Sequence, residues 1–101
     1  MLALARALMS RPEVFMLDEP TQGLAPTIIR QIMDALTRIS DEGKTVLIAE
    51  PTTRVLPRHI DVGFVMLHGR IVAQASDLEG LDQAFHEQFE IAAHETVSHA
   101  V

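Results

Sequence analysis

An apolar run that ends in two adjacent carboxylates constrains this chain more than any other stretch. Val14 to Leu17 are apolar, Asp18 and Glu19 follow, and Pro20 stops the run. A run this short, with branched and aromatic members, predicts a strand buried on both faces of a sheet. Open α/β sheets bind ligands at the carboxyl ends of their strands, where one carboxylate can hold a metal ion while its neighbour orients or deprotonates a water. A core strand with a merely solvated acidic end is the alternative that this stretch alone leaves open.

The composition is that of one small globular domain and argues against several classes of protein. The chain has 101 residues, of which 48% are hydrophobic and 22% charged. Its net charge of −6 argues against a nucleic-acid partner, because phosphate contacts need clustered Lys and Arg. There is no cysteine, hence no disulfide framework and no thiolate metal site. No apolar run approaches the roughly 20 residues that a membrane span needs.

Apolar spacing and turn-forming residues predict the helices and strands. Gly43 is expected to cap the second helix, Ser76 the last one, and His68-Gly69 to form a hairpin turn. The expected helices are Met1 to Met9, Pro26 to about Asp41 or Glu42, a short one capped by Thr52 or Thr53, and Asp77 to about Phe89. The expected strands are Val14 to Leu17, Thr45 to Ala49, Val62 to Leu67 and Arg70 to Ala75.

The order of these elements predicts the fold class. Strands that alternate with helices are typical of an α/β fold, in which a parallel sheet is connected by crossover helices. A C-terminal β-hairpin plus helix would follow. The polar, alanine-rich stretch from Glu90 to Val101 is expected to be a loosely held tail.

Five short motifs follow one another along the chain. They are LARALM (Leu4 to Met9), LDEP (Leu17 to Pro20), GLAP (Gly23 to Pro26), DEGKTVLI (Asp41 to Ile48) and GRIV (Gly69 to Val72). In this order and at this spacing they resemble the second half of ABC transporter ATP-binding subunits, above all those of branched-chain amino-acid uptake systems. The resemblance covers roughly residues 1 to 80. It implies a partial P-loop NTPase-like (ABC ATPase) fold, with residues 1–89 as the C-terminal part of the ATPase domain, from Walker B onward, and residues 90–101 as a polar tail.

The resemblance also implies roles for individual residues. Val14 to Glu19 is similar to the Walker B strand, which implies that Asp18 helps to hold Mg²⁺, usually through water, and that Glu19 is the catalytic carboxylate that polarises the attacking water. The loop from Gln22 to Ala25, with Gly23 and Leu24, matches the loop that crosses the dimer interface and contacts nucleotide in the family, although many members carry Asp where this chain has Ala25. Arg6 is interpreted as structural.

Two departures from the family pattern weaken the case for catalysis by this chain. The position after the Thr45 to Ala49 strand holds a His or Gln that reaches the γ-phosphate in many relatives, but here it is Pro51. Proline has neither a side-chain donor nor a backbone N–H. The sequence also has no GxxxxGK[ST] phosphate loop and no signature motif, so we expect a C-terminal fragment of a longer protein, with no ATP binding of its own.

The resemblance implies an ATP-binding and ATP-hydrolysing subunit of an importer for branched-chain amino acids or a related small solute, with ATP and Mg²⁺ as cofactors. Its implied partners are a second ATP-binding subunit, as a dimer, and transmembrane permease subunits, and its implied place is the cytoplasmic face of the inner membrane. Two alternatives stay open: a non-catalytic remnant without nucleotide affinity, and an ABC ATPase of DNA repair or translation.

Two further expectations concern surfaces. His86, Glu90 and His94 would align on one helical face, where metal chelation is conceivable and a solvated face is the simpler interpretation. Part of a parallel sheet leaves a strand edge and apolar faces uncovered. We therefore expect the chain to aggregate or dimerise when it is produced alone.

Overall fold

The computed structural model describes residues 2–99, with side chains from residue 5 to residue 95, and Met1, Ala100 and Val101 lie outside that range. The predicted order of elements is confirmed. The chain divides into two compact units, Met1–Leu56 and Pro57–Val101. The elements are α1 (Leu2–Met9), β1 (Val14–Asp18), α2 (Pro26–Asp41), β2 (Thr45–Ala49), a short 3-10 helix (Thr53–Val55), β3 (Gly63–Leu67), β4 (Arg70–Ala75) and α3 (Leu78–His99).

The first unit is a parallel strand pair whose connection is a helix. Strands β1 and β2 pair in register from Val14 with Thr45 to Asp18 with Ala49, and α2 makes the crossover between them. Pro26 occupies the first turn of α2, where its missing N–H costs nothing. The helix ends where Gly43 adopts a φ of +94°, a conformation that glycine tolerates without steric cost. The predicted bounds of this helix and of β2 are therefore confirmed.

The core of the first unit lies between α2 and one face of the strand pair. Ile32, Met33 and Leu36 are buried at helical spacing, and Leu36 is only 1% exposed. Half-buried apolar side chains from both strands and from the loop before α2 pack against this cluster; they include Leu17, Leu24, Val46 and Ile48.

The opposite face of the strand pair is open, so the expectation that β1 is buried on both faces is wrong. Alternate residues of β1 point to opposite sides of the sheet, and only the side that bears Phe15 and Leu17 meets α2. On the other side Val14 is 52% exposed, Met16 74% and Leu47 53%. To bury this second face, the apolar run would need another layer of side chains, which the described residues do not provide.

We expect these side chains to drive self-association of the isolated chain, because contiguous apolar surface is costly in water. Met16→Lys should shift the chain toward monomer, whereas Thr27→Lys, on the exposed side of α2, should not. Sedimentation of the two variants and the unsubstituted chain measures this. A monodisperse monomer that unfolds cooperatively without substitution would contradict the prediction.

The second unit is a hairpin covered on one face by α3. His68 and Gly69 both have positive φ, +52° and +77°, which is the geometry of a two-residue turn that matches the twist of a hairpin. Strands β3 and β4 pair in antiparallel fashion with a register shift between Val65 and Met66. A Cβ on Gly63 would lie 2.5 Å from Leu81 Cδ2, so the absence of a side chain there lets α3 approach the hairpin closely.

Two expectations for the last helix need correction. Asp77 caps α3, since its Oδ1 accepts a hydrogen bond of 2.7 Å from the Gly80 N–H, and Ser76 lies outside the helix. The helix continues to His99, so the described part of the expected loose tail is helical. Alanine and glutamate favour this extension, and Phe85 and Phe89 are in ring contact along it. Within residues 2–99, no helix combines the length and apolar character that a bilayer crossing requires.

Candidate functional site

The adjacent carboxylates lie where two parallel strands end together. Asp18 is the last residue of β1 and pairs in register with Ala49, the last residue of β2. The Glu19 N–H then donates a hydrogen bond of 2.7 Å to the Ala49 carbonyl. Because both strands are parallel, everything that follows them emerges at this one edge of the sheet. The edge is the position at which open α/β sheets place ligand chemistry.

Glu19 has a left-handed backbone. Its φ is +48°, which costs an L-residue about 1–2 kcal/mol relative to the usual regions. This conformation turns the chain out of the strand and into a tight turn, in which the Gln22 N–H donates to the Glu19 carbonyl at 3.2 Å. Residues held in such conformations concentrate at functional sites. The sequence-predicted catalytic carboxylate is thus also the site of local backbone strain.

The side chains of Asp18 and Glu19 are both exposed, and neither forms a hydrogen bond or ion pair with any residue that the structure describes. Mg²⁺ is commonly held by one or two carboxylates together with waters and substrate phosphates. An exposed, uncommitted Asp18 therefore fits a metal that is contacted through water. Among residues 5–95, whose side chains the structure describes, no group of three or more His, Asp or Glu could enclose a metal by itself.

The carboxylate of Glu50 connects the two strand ends at this edge. Glu50, the residue after β2, is half-buried, and its Oε1 accepts hydrogen bonds from the Thr21 Oγ1 at 2.8 Å and from the Thr21 N–H at 3.2 Å. Thr21 is only 6% exposed. The turn after β1 is thereby fastened to the end of β2 through a side chain, in addition to the Glu19–Ala49 backbone bond.

The loop predicted to contact nucleotide and a dimer partner divides into two parts. Gln22 and Gly23 are exposed, and Gly23 has a φ of +76°. Leu24 is half-buried and packs on the α2 core instead of facing solvent. Leu24 is therefore placed to anchor the loop, which leaves Gln22, Gly23 and Ala25 as its accessible residues.

Pro51 lies exposed immediately beyond Glu50, at the same edge of the sheet. Pro51 has no hydrogen-bond donor to offer a ligand at this edge. The structure thus brings Asp18, Glu19 and Pro51 to one edge, with the Gln22–Gly23 turn directly after it.

His86 and His94 of α3 do not form a metal site with other side chains of residues 5–95. His86 Nδ1 lies 2.8 Å from the Asp82 carbonyl oxygen and 3.5 Å from Asp82 Oδ1, one helical turn before it. His94 and Glu90 are exposed. Arg6, in the last turn of α1, is also exposed.

Sequence reasoning missed the pairing of Thr21 with Glu50. The two residues are far apart in the chain and share no motif spacing. The position of the two residues in the sequence was the signal that could have revealed the contact. Thr21 and Glu50 each closely follow one of two strands that are predicted to be parallel, so both side chains emerge at the same sheet edge.

Comparison with known proteins identifies relatives of one kind, although no family model matches the sequence. The chain is 44% identical over 72 residues to the high-affinity branched-chain amino acid transport ATP-binding protein BraG of Pseudomonas aeruginosa, which is 71% of this chain and 31% of that protein. It is 38% identical over 78 residues to the energy-coupling factor transporter ATP-binding protein EcfA2 of Clostridium perfringens, which is 76% of this chain and 27% of that protein. The chain thus spans less than a third of the length of these relatives.

Solved structures give the same result for the fold. An ATP-binding cassette of an ABC transporter, in its ADP conformation, matches 82% of this chain and 33% of its own with a TM-score of 0.73 and 30% identity. The cbiO1 protein of Clostridium perfringens, part of the ABC transporter complex cbiONQ, matches 97% of this chain and 39% of its own with a TM-score of 0.68 and 31% identity. The predicted fold class and the family resemblance are both confirmed.

Proposed function

Because this chain is homologous to part of the ATP-binding proteins of ABC transporters, we propose that it supplies the Walker B strand and the following loops of an ATP-hydrolysing importer subunit. The observation that carries this proposal is the edge where β1 and β2 end together, with Asp18 and Glu19 exposed beside each other and the Glu19 N–H bonded to Ala49. The left-handed φ of Glu19 turns the chain out of β1 at this edge and leaves its carboxylate exposed.

In this proposal the two carboxylates divide the work. Asp18 holds Mg²⁺ through water, and the metal supplies charge neutralisation at the phosphate oxygens of ATP. Glu19 accepts a hydrogen bond from the attacking water and orients it. Gln22, Gly23 and Ala25 form the accessible part of the loop that meets nucleotide and a second ATP-binding subunit. The phosphate-binding loop is contributed by sequence that this chain does not contain.

The proposed solute class and setting follow from the relatives. One is named for branched-chain amino acid transport, and others for energy-coupling factor transport. We propose an importer for branched-chain amino acids or a related small solute, in which the subunit binds transmembrane permease subunits at the cytoplasmic face of the inner membrane. The named relatives are transport proteins, which favours this function over DNA repair or translation.

A chimera tests the proposal. The 72-residue region of the Pseudomonas aeruginosa relative that matches this chain would be replaced by the corresponding residues of this chain. If the proposal is correct, the purified chimera hydrolyses ATP within about tenfold of the parent, because phosphoryl transfer depends mainly on positioned charges, which Asp18 and Glu19 would supply. Uptake of branched-chain amino acids in cells that lack the parent protein gives an independent readout.

Pro51 favours one competing interpretation, a non-catalytic remnant. In that case the chimera would bind ATP but hydrolyse it at the background rate, and Pro51→His in the chimera would restore hydrolysis by returning a side-chain donor to this position. A chimera that stays inactive with Pro51→His, although it is folded and binds ATP, would overturn the proposed function.

A further inference from the structure

The Glu50–Thr21 contact links two parts of the sheet edge, the turn after β1 and the end of β2. Both hydrogen bonds from Thr21 converge on the same carboxylate oxygen, Oε1, at 2.8 and 3.2 Å. Thr21 is almost fully buried, so its hydroxyl has no access to bulk water as a substitute partner. Removal of the acceptor would leave a buried donor unsatisfied, which costs more than the loss of an exposed hydrogen bond.

Thr21 lies inside the turn that Glu19 begins. The Gln22 N–H closes this turn on the Glu19 carbonyl, and the Leu24 N–H closes the next one on the Thr21 carbonyl. A fixed Thr21 therefore restricts the backbone of Glu19, whose φ of +48° is otherwise disfavoured. The side chain of Glu19 takes no part in these bonds and stays exposed.

We propose that Glu50 is a positioning residue for Glu19. Its carboxylate holds Thr21, the turn that contains Thr21 keeps Glu19 in the left-handed conformation, and the Glu19 carboxylate is thereby aimed out of the sheet edge. Glu50 touches neither metal nor nucleotide in this role. The catalytic meaning of the inference rests on the proposed function, whereas the positional claim rests on the contacts alone.

Amide hydrogen exchange, measured by NMR on the 101-residue chain with Met16→Lys as the common background that favours the monomer, tests the positional claim. Glu50→Ala should speed exchange of the Thr21 amide about tenfold to a hundredfold, because hydrogen bonds to charged groups are among the stronger ones. Exchange of the Gln22 amide should accelerate as well, since the turn opens. Glu50→Gln keeps a carbonyl oxygen where Oε1 lies and should retain most of the protection. Glu42→Ala, at an exposed glutamate after α2, is the matched control.

A second substitution separates positioning from a purely local contact. In the Glu50→Ala chain, Glu19→Gly should restore protection of the Gln22 amide, because glycine adopts positive φ without a steric cost. Thr21 should stay unprotected. If Glu50→Ala affects Thr21 alone, or if the Thr21 amide of the unsubstituted chain exchanges as fast as in an unstructured peptide, the proposal is overturned.

The chimera supplies the catalytic readout. Glu50→Ala should lower kcat about tenfold or more while the KM for ATP stays within about twofold, and Glu50→Gln should recover most of the rate. Equal kcat values for all three proteins would contradict the positioning role. A chimera without any hydrolysis would count against the proposed function, while the exchange data would still decide the positional claim.

Discussion

Leu36→Ala is expected to destabilise the Met1–Leu56 unit by about 2–5 kcal/mol. Leu36 is 1% exposed and lies between Ile32 and Met33 on the buried face of α2, so truncation leaves a cavity that neighbouring side chains fill only in part. Small domains have a total stability of about 5–15 kcal/mol, of which this loss is a large fraction. Urea unfolding in the Met16→Lys background, monitored by exchange of the β1 and β2 amides, measures the effect.

Leu36→Met is the matched control, because it keeps the volume nearly constant and should cost less than about 1.5 kcal/mol. Equal midpoints of unfolding for Leu36→Ala and Leu36→Met would mean that the contact between α2 and the strands is not what holds this unit together. The described packing of the first unit would then be wrong.

Glu19→Gln, introduced into the chimera with the Pseudomonas aeruginosa relative, is expected to lower ATP hydrolysis by about 10²–10⁴-fold. The substitution preserves size and backbone but removes the basic oxygen that accepts a proton or hydrogen bond from the attacking water. ATP binding should be retained, since the proposed metal contact belongs to Asp18. Single-turnover hydrolysis and equilibrium nucleotide binding, measured on the same protein, separate the two effects.

Glu13→Gln is the control for Glu19→Gln. Glu13 precedes β1 at the opposite end of the same strand, where it forms a 2.8 Å ion pair with Lys44. Exposed pairs of this kind contribute little, so hydrolysis should stay within about twofold of the unsubstituted chimera. If both substitutions lower hydrolysis by the same factor, the loss reflects general damage to the strand and not the chemistry of Glu19.

The secondary structure could be predicted because its signals are local. Pro26 and Gly43 mark the ends of α2, and His68-Gly69 marks the hairpin turn, each through the backbone conformation that the residue favours. The end of α3 could not be predicted in the same way. The polar residues beyond Phe89 predict a loose tail, whereas the alanine and glutamate residues of the same stretch favour a helix.

The sequence could not predict which faces of the β1–β2 sheet are covered. Val14 and Met16 are apolar, and an apolar run does not reveal whether the layer that covers it is present in the same stretch of chain. Asp18 and Glu19 were located correctly, because the carboxyl end of a buried strand can be recognised from its sequence. The left-handed φ of Glu19 and the Thr21–Glu50 contact depend on two distant segments, so neither is encoded in a local motif.

The two strand pairs also differ in how far apart their partners lie along the chain. Strands β3 and β4 meet across a two-residue turn, whereas Val14 of β1 meets Thr45 of β2 only after the whole of α2 has been placed between them. Loop-closure entropy opposes the second kind of pairing, and hairpins form in about 1–10 μs. The hairpin can therefore fold as the chain collapses, while the edge that bears Asp18 and Glu19 is assembled late, after α2 has formed.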